Sequence, residues 1–293
     1  MKKFITLALL VLLVVAIAAC TNNNEPAAPG NDTEQNNDAT DPAQPDPDPV
    51  PPRRTLVMGT SAGFFPFEFI ADHGQGVIGQ YAGIDVSLVA RIAEELDVDI
   101  VIQDQEFAGL IVALQNRSID FIAAGMTIRP DRAEVVNFSV PYYNAGQYVI
   151  VQQGNTAINA ISDLEGLIVG VQLGTTGDMA ITDGQADGVV SFQDIARFNQ
   201  PAHGILDLIS GSIDAFVVDA PVARAFLATY PGDLRIFSDP NGFFGPEQFG
   251  MAFHQDDTEL LAEFNAVLTR LIAEGYVDYL YNYYMTYHVA PVE

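Results

Sequence analysis

Cysteine, tryptophan and histidine are scarce in this chain of 293 residues, which has one cysteine, no tryptophan and four histidines. A single cysteine has no disulfide partner within the chain. The histidines show neither a His-x-x-x-His spacing nor neighbouring paired cysteines, so they supply no set of zinc ligands. The sequence therefore predicts no metal site and no cofactor, and we interpret the histidines as surface or loop residues: His73, His203, His254 and His288.

Basic residues are also few, with 12 lysines and arginines against 38 acidic residues and a net charge of −26. Both lysines lie in the first three positions, so the rest of the chain carries only arginine as a permanent cation. A nucleic-acid-binding surface needs a basic face to neutralise phosphates. Nucleic-acid binding is therefore excluded, and the acidity indicates a solvated surface that says little about a ligand.

The N-terminus has the features of an export signal. A basic start precedes an apolar run over residues 4–19 that ends at Cys20, and this run is shorter than the roughly 20 residues of a bilayer span. Residues 17–20, Ile-Ala-Ala-Cys, resemble the lipobox of bacterial lipoproteins, in which the cysteine is diacylated and becomes the new N-terminus. We expect removal of residues 1–19 and a lipid on Cys20 that holds the protein at the extracytoplasmic face of the cell membrane, or in the periplasm. The alternative is a spanning helix that ends in a cysteine by chance.

Residues 21–54 consist mainly of Asn, Asp, Pro, Ala and Glu, with almost no large apolar side chain. Such a segment cannot bury enough surface to offset the entropy lost on ordering, and its prolines favour extended backbone. We therefore expect a disordered linker between the lipidated cysteine and the folded part.

From residue 55 onward, short runs of β-branched residues alternate with amphipathic segments, a pattern typical of α/β folds. Strands are predicted at 56–58, 98–103, 119–124, 148–152, 167–171, 213–218 and 250–253. Helices are predicted at 85–96, 108–116, 130–136, 162–165, 202–210, 221–230, 256–274 and 276–286. The sequence Ser-Asp-Leu-Glu at 162–165 has the form of a capping box.

One stretch of sequence recurs within the chain. Residues 118–125, Ser-Ile-Asp-Phe-Ile-Ala-Ala-Gly, are echoed at 212–219 by Ser-Ile-Asp-Ala-Phe-Val-Val-Asp, and an amphipathic helix is predicted before each. Two lobes of similar build are the simplest interpretation. Because ligands of open α/β sheets bind beyond the carboxyl ends of strands, we expect four segments to converge on one cleft: 61–64, 125–132, 175–178 and Asp219.

A series of short motifs runs in order through nearly the whole of this part of the chain. They are FFPFEF at 64–69, GID at 83–85, FAGLI at 107–111, ALQ at 113–115, ID at 119–120, AGMTI at 124–128, Arg132, FS at 138–139, PYY at 141–143, GVQLGTT at 170–176 and Asp219. With these motifs, residues 55–287 resemble the polar amino acid family of periplasmic (type II) solute-binding proteins of ABC importers. The resemblance implies two α/β lobes, each a mixed sheet flanked by helices, joined by a two-segment hinge.

The resemblance also implies limits for each part. Lobe 1 is expected over 55–141 plus 249–293 and lobe 2 over 147–244, with hinge segments at 142–146 and 245–249. The expected partners are a small amino acid ligand, the membrane subunits of an ABC importer and, through the lipid, the membrane. The protein is expected to be a monomer and not an enzyme.

An amino acid ligand presents a carboxylate and an ammonium group, and burying both costs heavily unless each is paired. A guanidinium fork matches a carboxylate, and the resemblance implies this role for Arg132, with the N–H groups around Gly125 to Thr127 and the Thr127 hydroxyl completing the shell. It implies Asp219 for the ammonium, although spacing alone fits a helix N-cap equally well. Thr176 is expected to add a hydrogen bond from the second lobe, where the alternative is a helix-capping threonine.

Two aromatic residues, Phe64 and Phe107, correspond to the pair that encloses the ligand side chain in the family. Several relatives have an aspartate at the position of Ser61, and a lysine or other polar group at the position of Gln172. These differences leave two classes of ligand side chain open, polar uncharged and cationic. The full set expected to bind the ligand is Ser61, Phe64, Phe107, Ala124, Gly125, Thr127, Arg132, Gln172, Thr176 and Asp219.

Two other functions remain open at this stage. Some relatives of this fold dehydrate cyclic amino acid precursors, and an enzyme of that kind would need a proton donor in the cleft, for which Glu68 and Asp178 are candidates. The same two carboxylates are candidates to meet a cationic ligand side chain. The second alternative function is a ligand sensor that acts through a separate signalling partner.

Overall fold

The computed structural model describes residues 53–239 and 241–287. The predicted export signal, Cys20 and the predicted linker lie outside the described residues. In chain order the strands are β1 (Arg54–Thr60), β2 (Phe69–Ile70), β3 (Tyr81–Ala82), β4 (Val98–Asp104), β5 (Phe121–Ile122), β6 (Asn137–Phe138), β7 (Tyr143–Ala145), β8 (Gln147–Gln152), β9 (Ile168–Gln172), β10 (Asp194–Phe198), β11 (Ala215–Asp219), β12 (Leu234–Phe237), β13 (Glu247–Phe249) and β14 (Ala252–Phe253).

The helices follow the same order. They are α1 (Ile84–Leu96), α2 (Leu110–Gln115), α3 (Pro130–Ala133), α4 (Thr176–Ala186), α5 (Pro201–Ser210), α6 (Ala220–Thr229), α7 (Thr258–Ala273) and α8 (Tyr276–Tyr287), with 3₁₀ turns at Asp72–Gly74, Phe107–Gly109 and Ile161–Leu164. Across the described ranges, 53–239 and 241–287, no helix has both the length and the apolar character needed to cross a membrane.

The first sheet has five strands in the order β4-β1-β5-β14-β6. β1 runs parallel to β4 and β5, whereas β14 runs antiparallel to β5 and β6. Helix α1 packs on β4, α7 and α8 because its apolar residues share one face, on which Val86, Val89 and Ile92 are fully buried. The sheet is therefore mixed and is covered by helices from both ends of the described chain.

The second sheet has the order β10-β9-β11-β8-β12 and is built from residues 147–237. β9 runs parallel to β10 and β11, and β8 runs antiparallel to β11 and β12. Helices α4, α5 and α6 pack against its strands. Two mixed sheets with helices confirm the predicted two-lobed α/β fold.

The chain passes between the two sheets in two short strands that pair with each other. β7 and β13 run antiparallel, with Tyr143 opposite Phe249 and Ala145 opposite Glu247. These strands fall within the predicted hinge segments. The limits of the lobes themselves remain a prediction.

The repeated sequence has the same local structure in both sheets. The carboxylate of Asp120, just before β5, accepts a hydrogen bond from the backbone N–H of Val57 in β1 at 2.6 Å. The carboxylate of Asp214, just before β11, accepts one from Ile168 in β9 at 2.8 Å. Each aspartate thus fixes the register of its strand against a parallel neighbour, which explains why Ser-Ile-Asp recurs at this point of each lobe.

Three elements of the second sheet were not predicted from the sequence: α4, β10 and β12. Helix α4 contains two glycines, which lower intrinsic helix propensity. Packing favours both glycines, because a Cβ at Gly184 would lie 2.6 Å from the Phe243 ring and one at Gly177 would lie 2.9 Å from Gln147 Oε1, which would have to move. Long-range contacts therefore override local preference in this helix.

The predicted capping box at residues 162–165 is wrong in its details. The segment forms a 3₁₀ turn that begins one residue earlier, at Ile161. The carboxylate of Asp163, rather than the Ser162 hydroxyl, accepts hydrogen bonds from the N–H groups of Asn159 at 2.8 Å and Ala160 at 3.0 Å. Asp163, and not Ser162, is therefore the residue whose side chain accepts the hydrogen bonds of this turn.

Candidate ligand-binding pocket

One largely enclosed pocket lies beyond the carboxyl ends of β1, β5, β9 and β11, as the strand-end rule anticipates. The space between the protein atoms that outline it is about 290 Å³, part of which is open to solvent. Its walls include all ten residues of the predicted ligand-binding set together with Glu68 and Thr175: Ser61, Phe64, Glu68, Phe107, Ala124, Gly125, Thr127, Arg132, Gln172, Thr175, Thr176 and Asp219. Both sheets therefore contribute walls to a single space.

The loop at Gly125 requires glycine. Its φ is +53°, and a Cβ there would lie 2.8 Å from the ring of Phe64. The N–H of Gly125 donates to the buried carboxylate of Asp85 at 2.8 Å, and the Tyr142 hydroxyl donates to the same oxygen at 2.8 Å. Burial raises the pKa of Asp85 to about 7, against the lowering effect of these two hydrogen bonds. This N–H is thus already used, which corrects the expectation that it belongs to the shell around a ligand carboxylate.

Arg132 is the only basic residue among the described residues that line the pocket, and it is 5% exposed. Two of its five N–H groups donate to the carbonyl oxygens of Thr127 at 2.8 Å and Gly174 at 3.1 Å. Its guanidinium carbon lies 5.4 Å from the ring centroid of Phe107. Burial lowers the pKa of Arg132 to about 10, so it remains a cation at neutral pH.

Asp219 ends β11 at the pocket and is 5% exposed. It occupies the N-cap position of α6, yet its side chain makes no capping hydrogen bond, and Oδ1 has no hydrogen-bond partner in the described part of the chain. Burial, and then the nearby Glu247, raise the pKa of Asp219 well above its usual range, whereas Gln147 and Arg132 act in the opposite direction. The geometry does not support the capping alternative.

A second carboxylate, Glu68, lines the pocket and is 1% exposed. Burial, followed by the charges of Asp85, Asp104 and Asp219, raises the pKa of Glu68 well above its usual value. Its Oε2 and the hydroxyl of Ser61 both lack a hydrogen-bond partner within the described residues. Buried polar atoms are nearly always paired, so this wall is suited to receive polar groups from a bound molecule.

The second sheet contributes a turn and the start of a helix. Thr175, not Thr176, caps α4, because its hydroxyl accepts from the N–H of Asp178 at 3.3 Å. Thr176 is the first residue of α4, where the positive end of the helix dipole and unused N–H groups favour an anion. The capping alternative for Thr176 is therefore wrong.

Asp178 does not line the pocket, contrary to its candidacy as a proton donor or cation partner. Its carboxylate accepts from Arg197 at 2.9 Å, from the N–H of Gly174 at 3.0 Å and from the Thr182 hydroxyl at 3.2 Å. This carboxylate instead holds the turn at 174–177, whose Gly174 carbonyl accepts from Arg132.

Thr175 and Glu247 are absent from the set of ligand-binding residues predicted from the sequence, although Thr175 lies in the segment 175–178 that was expected to reach the cleft. Thr175 adjoins the predicted Thr176, and only the position of the helix start separates their roles. Glu247 lies on β13, far along the chain, and its carboxylate accepts from the Thr127 hydroxyl at 3.1 Å and from Gln147 Nε2 at 3.2 Å. No local pattern around Glu247 distinguishes it from a surface glutamate.

Two short motifs that match enzyme patterns do not have the structural context those enzymes need. Gly59-x-Ser61-x-Gly63 begins within β1 and leads into no helix, and no histidine among the described residues lines the pocket around Ser61. Gly74-x-Gly76-x-x-Gly79 lies between β2 and β3 instead of between a strand and a helix. In residues 53–239 and 241–287 there is also no group of three or more His, Cys, Asp or Glu placed to hold a metal ion.

Two mixed sheets, a pocket whose walls come from both and a paired crossing between them define a two-lobed solute-binding protein. The sequence model of the bacterial extracellular solute-binding proteins, family 3, matches residues 56–287. The chain belongs to this family.

Individual relatives agree with this assignment. The L-arginine-binding protein of Pseudomonas aeruginosa is 32% identical over 241 residues, which cover 80% of this chain and 90% of that protein. An ancestral arginine-binding protein bound to arginine superposes with a TM-score of 0.71 at 35% identity, covering 79% of this chain and 98% of the other. Holo ArgBP from T. maritima superposes with a TM-score of 0.66 at 37% identity, covering 78% and 96%.

Proposed function

We propose that this protein captures an amino acid outside the cytoplasm and delivers it to an ABC importer, and that the ligand has a cationic side chain, with L-arginine as the first candidate. The observation that carries the proposal is one buried arginine and two buried carboxylates around a single pocket, and each carboxylate has an oxygen without a hydrogen-bond partner among the described residues. Family membership supports solute capture, and relatives described as arginine-binding support the choice of ligand.

The common part of an amino acid matches the charges of the pocket. Arg132 pairs with the ligand carboxylate, because its guanidinium is charged, buried and held in place by two carbonyl oxygens. Asp219 pairs with the ammonium, because its Oδ1 is buried and has no hydrogen-bond partner in the part of the chain that the structure describes. The start of α4 at Thr176 adds donors for the carboxylate from the second sheet.

The remaining carboxylate of the pocket, Glu68, selects the side chain of the ligand. Once Arg132 and Asp219 are paired with a zwitterion, Glu68 still has a buried oxygen to satisfy. Burial disfavours the ionised form of Glu68, which a ligand guanidinium or ammonium stabilises by pairing with it and a neutral side chain does not. The ring of Phe64 on the same wall adds a face that attracts cations.

Ligand binding between the sheets provides the driving force for closure. A bound amino acid touches Arg132 from the first sheet side and Asp219 from the second, so it stabilises the closed arrangement relative to an open one. The crossing strands at 142–146 and 245–249 serve as the hinge between lobe 1 (55–141 plus 249–293) and lobe 2 (147–244). The importer then recognises the closed protein.

We also infer that the protein is a monomeric lipoprotein anchored through Cys20. Replacing Cys20 by serine is expected to remove the acylation site and to shift the protein from the membrane fraction to the soluble fraction of the producing bacterium, without changing ligand affinity. Fractionation followed by immunoblotting measures this. A Cys20→Ser variant that stays with the membrane would contradict the anchor.

A thermal-shift screen of the twenty amino acids and their close analogues tests the function directly. Binding raises the melting temperature by mass action, and we expect arginine to give the largest shift, other cationic amino acids a smaller one and acidic amino acids none. Calorimetry on the responding ligands then gives their affinities. Recovery of the ligand chemically unchanged after prolonged incubation is expected for a binding protein, whereas a dehydrated product would establish the enzyme alternative.

The role of Glu68 gives a more specific prediction. Glu68→Gln keeps the shape of the side chain and removes its charge, so the affinity for L-arginine is expected to fall by at least about 10-fold, or 1.4 kcal/mol. L-glutamine is the matched control ligand, since it has the same zwitterion and no cation, and its affinity is expected to change by less than about 3-fold. Equal losses for both ligands, measured by calorimetry, would show that Glu68 does not read the side chain.

A further inference from the structure

Glu247 lies outside the lining of the pocket and touches a residue that lines it. It belongs to the crossing strand β13, is 7% exposed, and its Oε2 accepts both the Thr127 hydroxyl at 3.1 Å and Gln147 Nε2 at 3.2 Å. Thr127 follows β5 in the first sheet, whereas Gln147 begins β8 in the second. A single carboxylate oxygen therefore connects a pocket residue, the crossing segment and the second sheet.

The direction in which the Thr127 hydroxyl donates its single hydrogen decides which group of the ligand it can hydrogen-bond. A hydroxyl has one hydrogen and two lone pairs. The hydroxyl hydrogen of Thr127 is donated to Glu247. Thr127 Oγ1 therefore presents a lone pair, and not a hydrogen, to the pocket. A lone pair repels a ligand carboxylate and accepts from an ammonium group. The expectation that this hydroxyl completes the carboxylate shell therefore does not hold while Glu247 is ionised.

Both hydrogen bonds to Glu247 end on its Oε2, so this oxygen is an acceptor whether or not Oε1 carries a proton. Burial is the largest influence and raises its pKa above the ordinary value, while hydrogen bonds from Gln147 and Thr127 and the charges of Arg132 and Arg129 lower it. Asp219 faces the same group and its pKa is raised by Glu247. Because both donors bond to Oε2 and the charges of Arg132 and Arg129 lower the pKa, an accepting carboxylate oxygen fits the geometry better than a donating acid.

We propose that Glu247 is a positioning residue for the ligand ammonium: by holding the hydroxyl hydrogen of Thr127, it makes Thr127 Oγ1 an acceptor that acts beside Asp219. The inference rests on the proposed amino-acid-binding function. It assigns Glu247 to the end of the ligand that all amino acids share, in contrast to Glu68, which is assigned to the side chain. Its removal therefore weakens every amino acid ligand by a similar factor.

A double-mutant cycle between Glu247 and Thr127 tests this assignment by calorimetry with L-arginine. Glu247→Ala and Thr127→Val are each expected to weaken binding by about 10-fold, the effect of one hydrogen bond to a charged group. In the Thr127→Val background, Glu247→Ala is expected to cost less than about 3-fold, because the hydroxyl it orients is already gone. A full 10-fold loss in that background would mean that Glu247 acts independently of Thr127, and the proposal would be wrong.

Rescue by a conservative variant separates positioning from charge. Both hydrogen bonds to Glu247 end on the same oxygen, so the amide oxygen of Glu247→Gln can accept both, and its affinity is expected to stay within about 3-fold of wild type. A loss as large as that of Glu247→Ala would overturn the positioning role. If circular dichroism shows that the alanine variant is unfolded, Glu247→Met takes its place in the cycle, because methionine has a similar volume and replaces the carboxylate oxygen by a weakly accepting sulfur.

Comparison of two ligands separates failure of this inference from failure of the proposed function. Wild-type affinity for L-arginine and L-glutamine tests the proposed function, whereas the ratio of variant to wild type tests Glu247. The ratios for Glu247→Ala are expected to agree within about 3-fold for the two ligands, since both carry the same ammonium. A loss confined to L-arginine would place Glu247 at the side chain and contradict the proposal.

Discussion

Replacing Arg132 by alanine is expected to abolish amino acid binding. The guanidinium is the only cation among the described residues that line the pocket, and removing it leaves the ligand carboxylate buried without a partner. Loss of one member of a buried, hydrogen-bonded charge pair costs about 2 to 5 kcal/mol, so affinity is expected to fall by roughly 30-fold to several thousand-fold. Calorimetry with L-arginine measures the loss.

The fold is expected to tolerate this change. In the ligand-free protein, the variant loses hydrogen bonds to the Thr127 and Gly174 carbonyls but no ion pair with any described residue, so the free energy of unfolding is expected to change by less than about 2 kcal/mol. Arg91→Ala is the matched control, since Arg91 pairs with Glu94 and Glu95 on the surface of α1, and its affinity is expected to equal that of wild type. Unchanged affinity in the Arg132 variant would show that Arg132 does not bind the ligand carboxylate.

Asp219→Asn is expected to weaken binding by about 2 to 4 kcal/mol, because the ligand ammonium then faces a neutral amide in a buried site. The substitution preserves shape, so the loss reports charge rather than volume. The N-cap alternative makes a different prediction, namely a loss of affinity below about 0.5 kcal/mol together with a less stable α6. Calorimetric affinity and the free energy of unfolding, measured on the same variant, distinguish the two.

The repeated sequence offers a matched control for this variant. Asp214 lies five positions before Asp219, and its carboxylate holds the N–H of Ile168 within the sheet. Asp214→Asn is expected to lower the free energy of unfolding by about 1 kcal/mol, since a neutral amide accepts a weaker hydrogen bond than a carboxylate, and to leave affinity unchanged. The same chemical change at two positions of one motif is thus expected to separate stability from binding.

Acid is expected to weaken binding of L-arginine. The pKa values of Asp219 and Glu68 are raised by burial, so each carboxylate gains a proton at a higher pH than a surface carboxylate does. Protonation removes the partner of a ligand cation, and affinity is therefore lost as the pH falls through these raised pKa values. Asp219→Asn lacks its share of this loss and is expected to show a shallower pH dependence by calorimetry. An identical pH dependence in the variant and wild type would exclude Asp219 as a titrating partner.

Much of the pocket could be predicted from the sequence because parallel strands deliver their following loops to the same edge. The four segments after β1, β5, β9 and β11 were predicted to converge, and their residues do line one pocket. Motifs that resemble a known family then selected individual side chains within those loops. Neither step required knowledge of long-range contacts.

The features that could not be predicted from the sequence depend on contacts between distant parts of the chain. Helix α4 forms despite its glycines because Phe243 and Gln147 fill the space beside them. The direction of the Thr127 hydroxyl is fixed by Glu247, 120 residues further along the chain, and the use of the Gly125 N–H is fixed by Asp85. Sequence periodicity has no access to hydrogen-bond direction, and this is why the predicted donors around the ligand carboxylate needed correction.

The central claim is that opposite charges from the two sheets hold the two ends of one zwitterion, and a crystal structure of the complex with L-arginine tests it most directly. We expect the ligand carboxylate within about 3 Å of the Arg132 guanidinium, the ammonium within about 3 Å of an Asp219 oxygen, and the ligand side chain directed at Glu68. A ligand bound in the reverse direction, with its guanidinium on Asp219 and its carboxylate away from Arg132, would contradict the account.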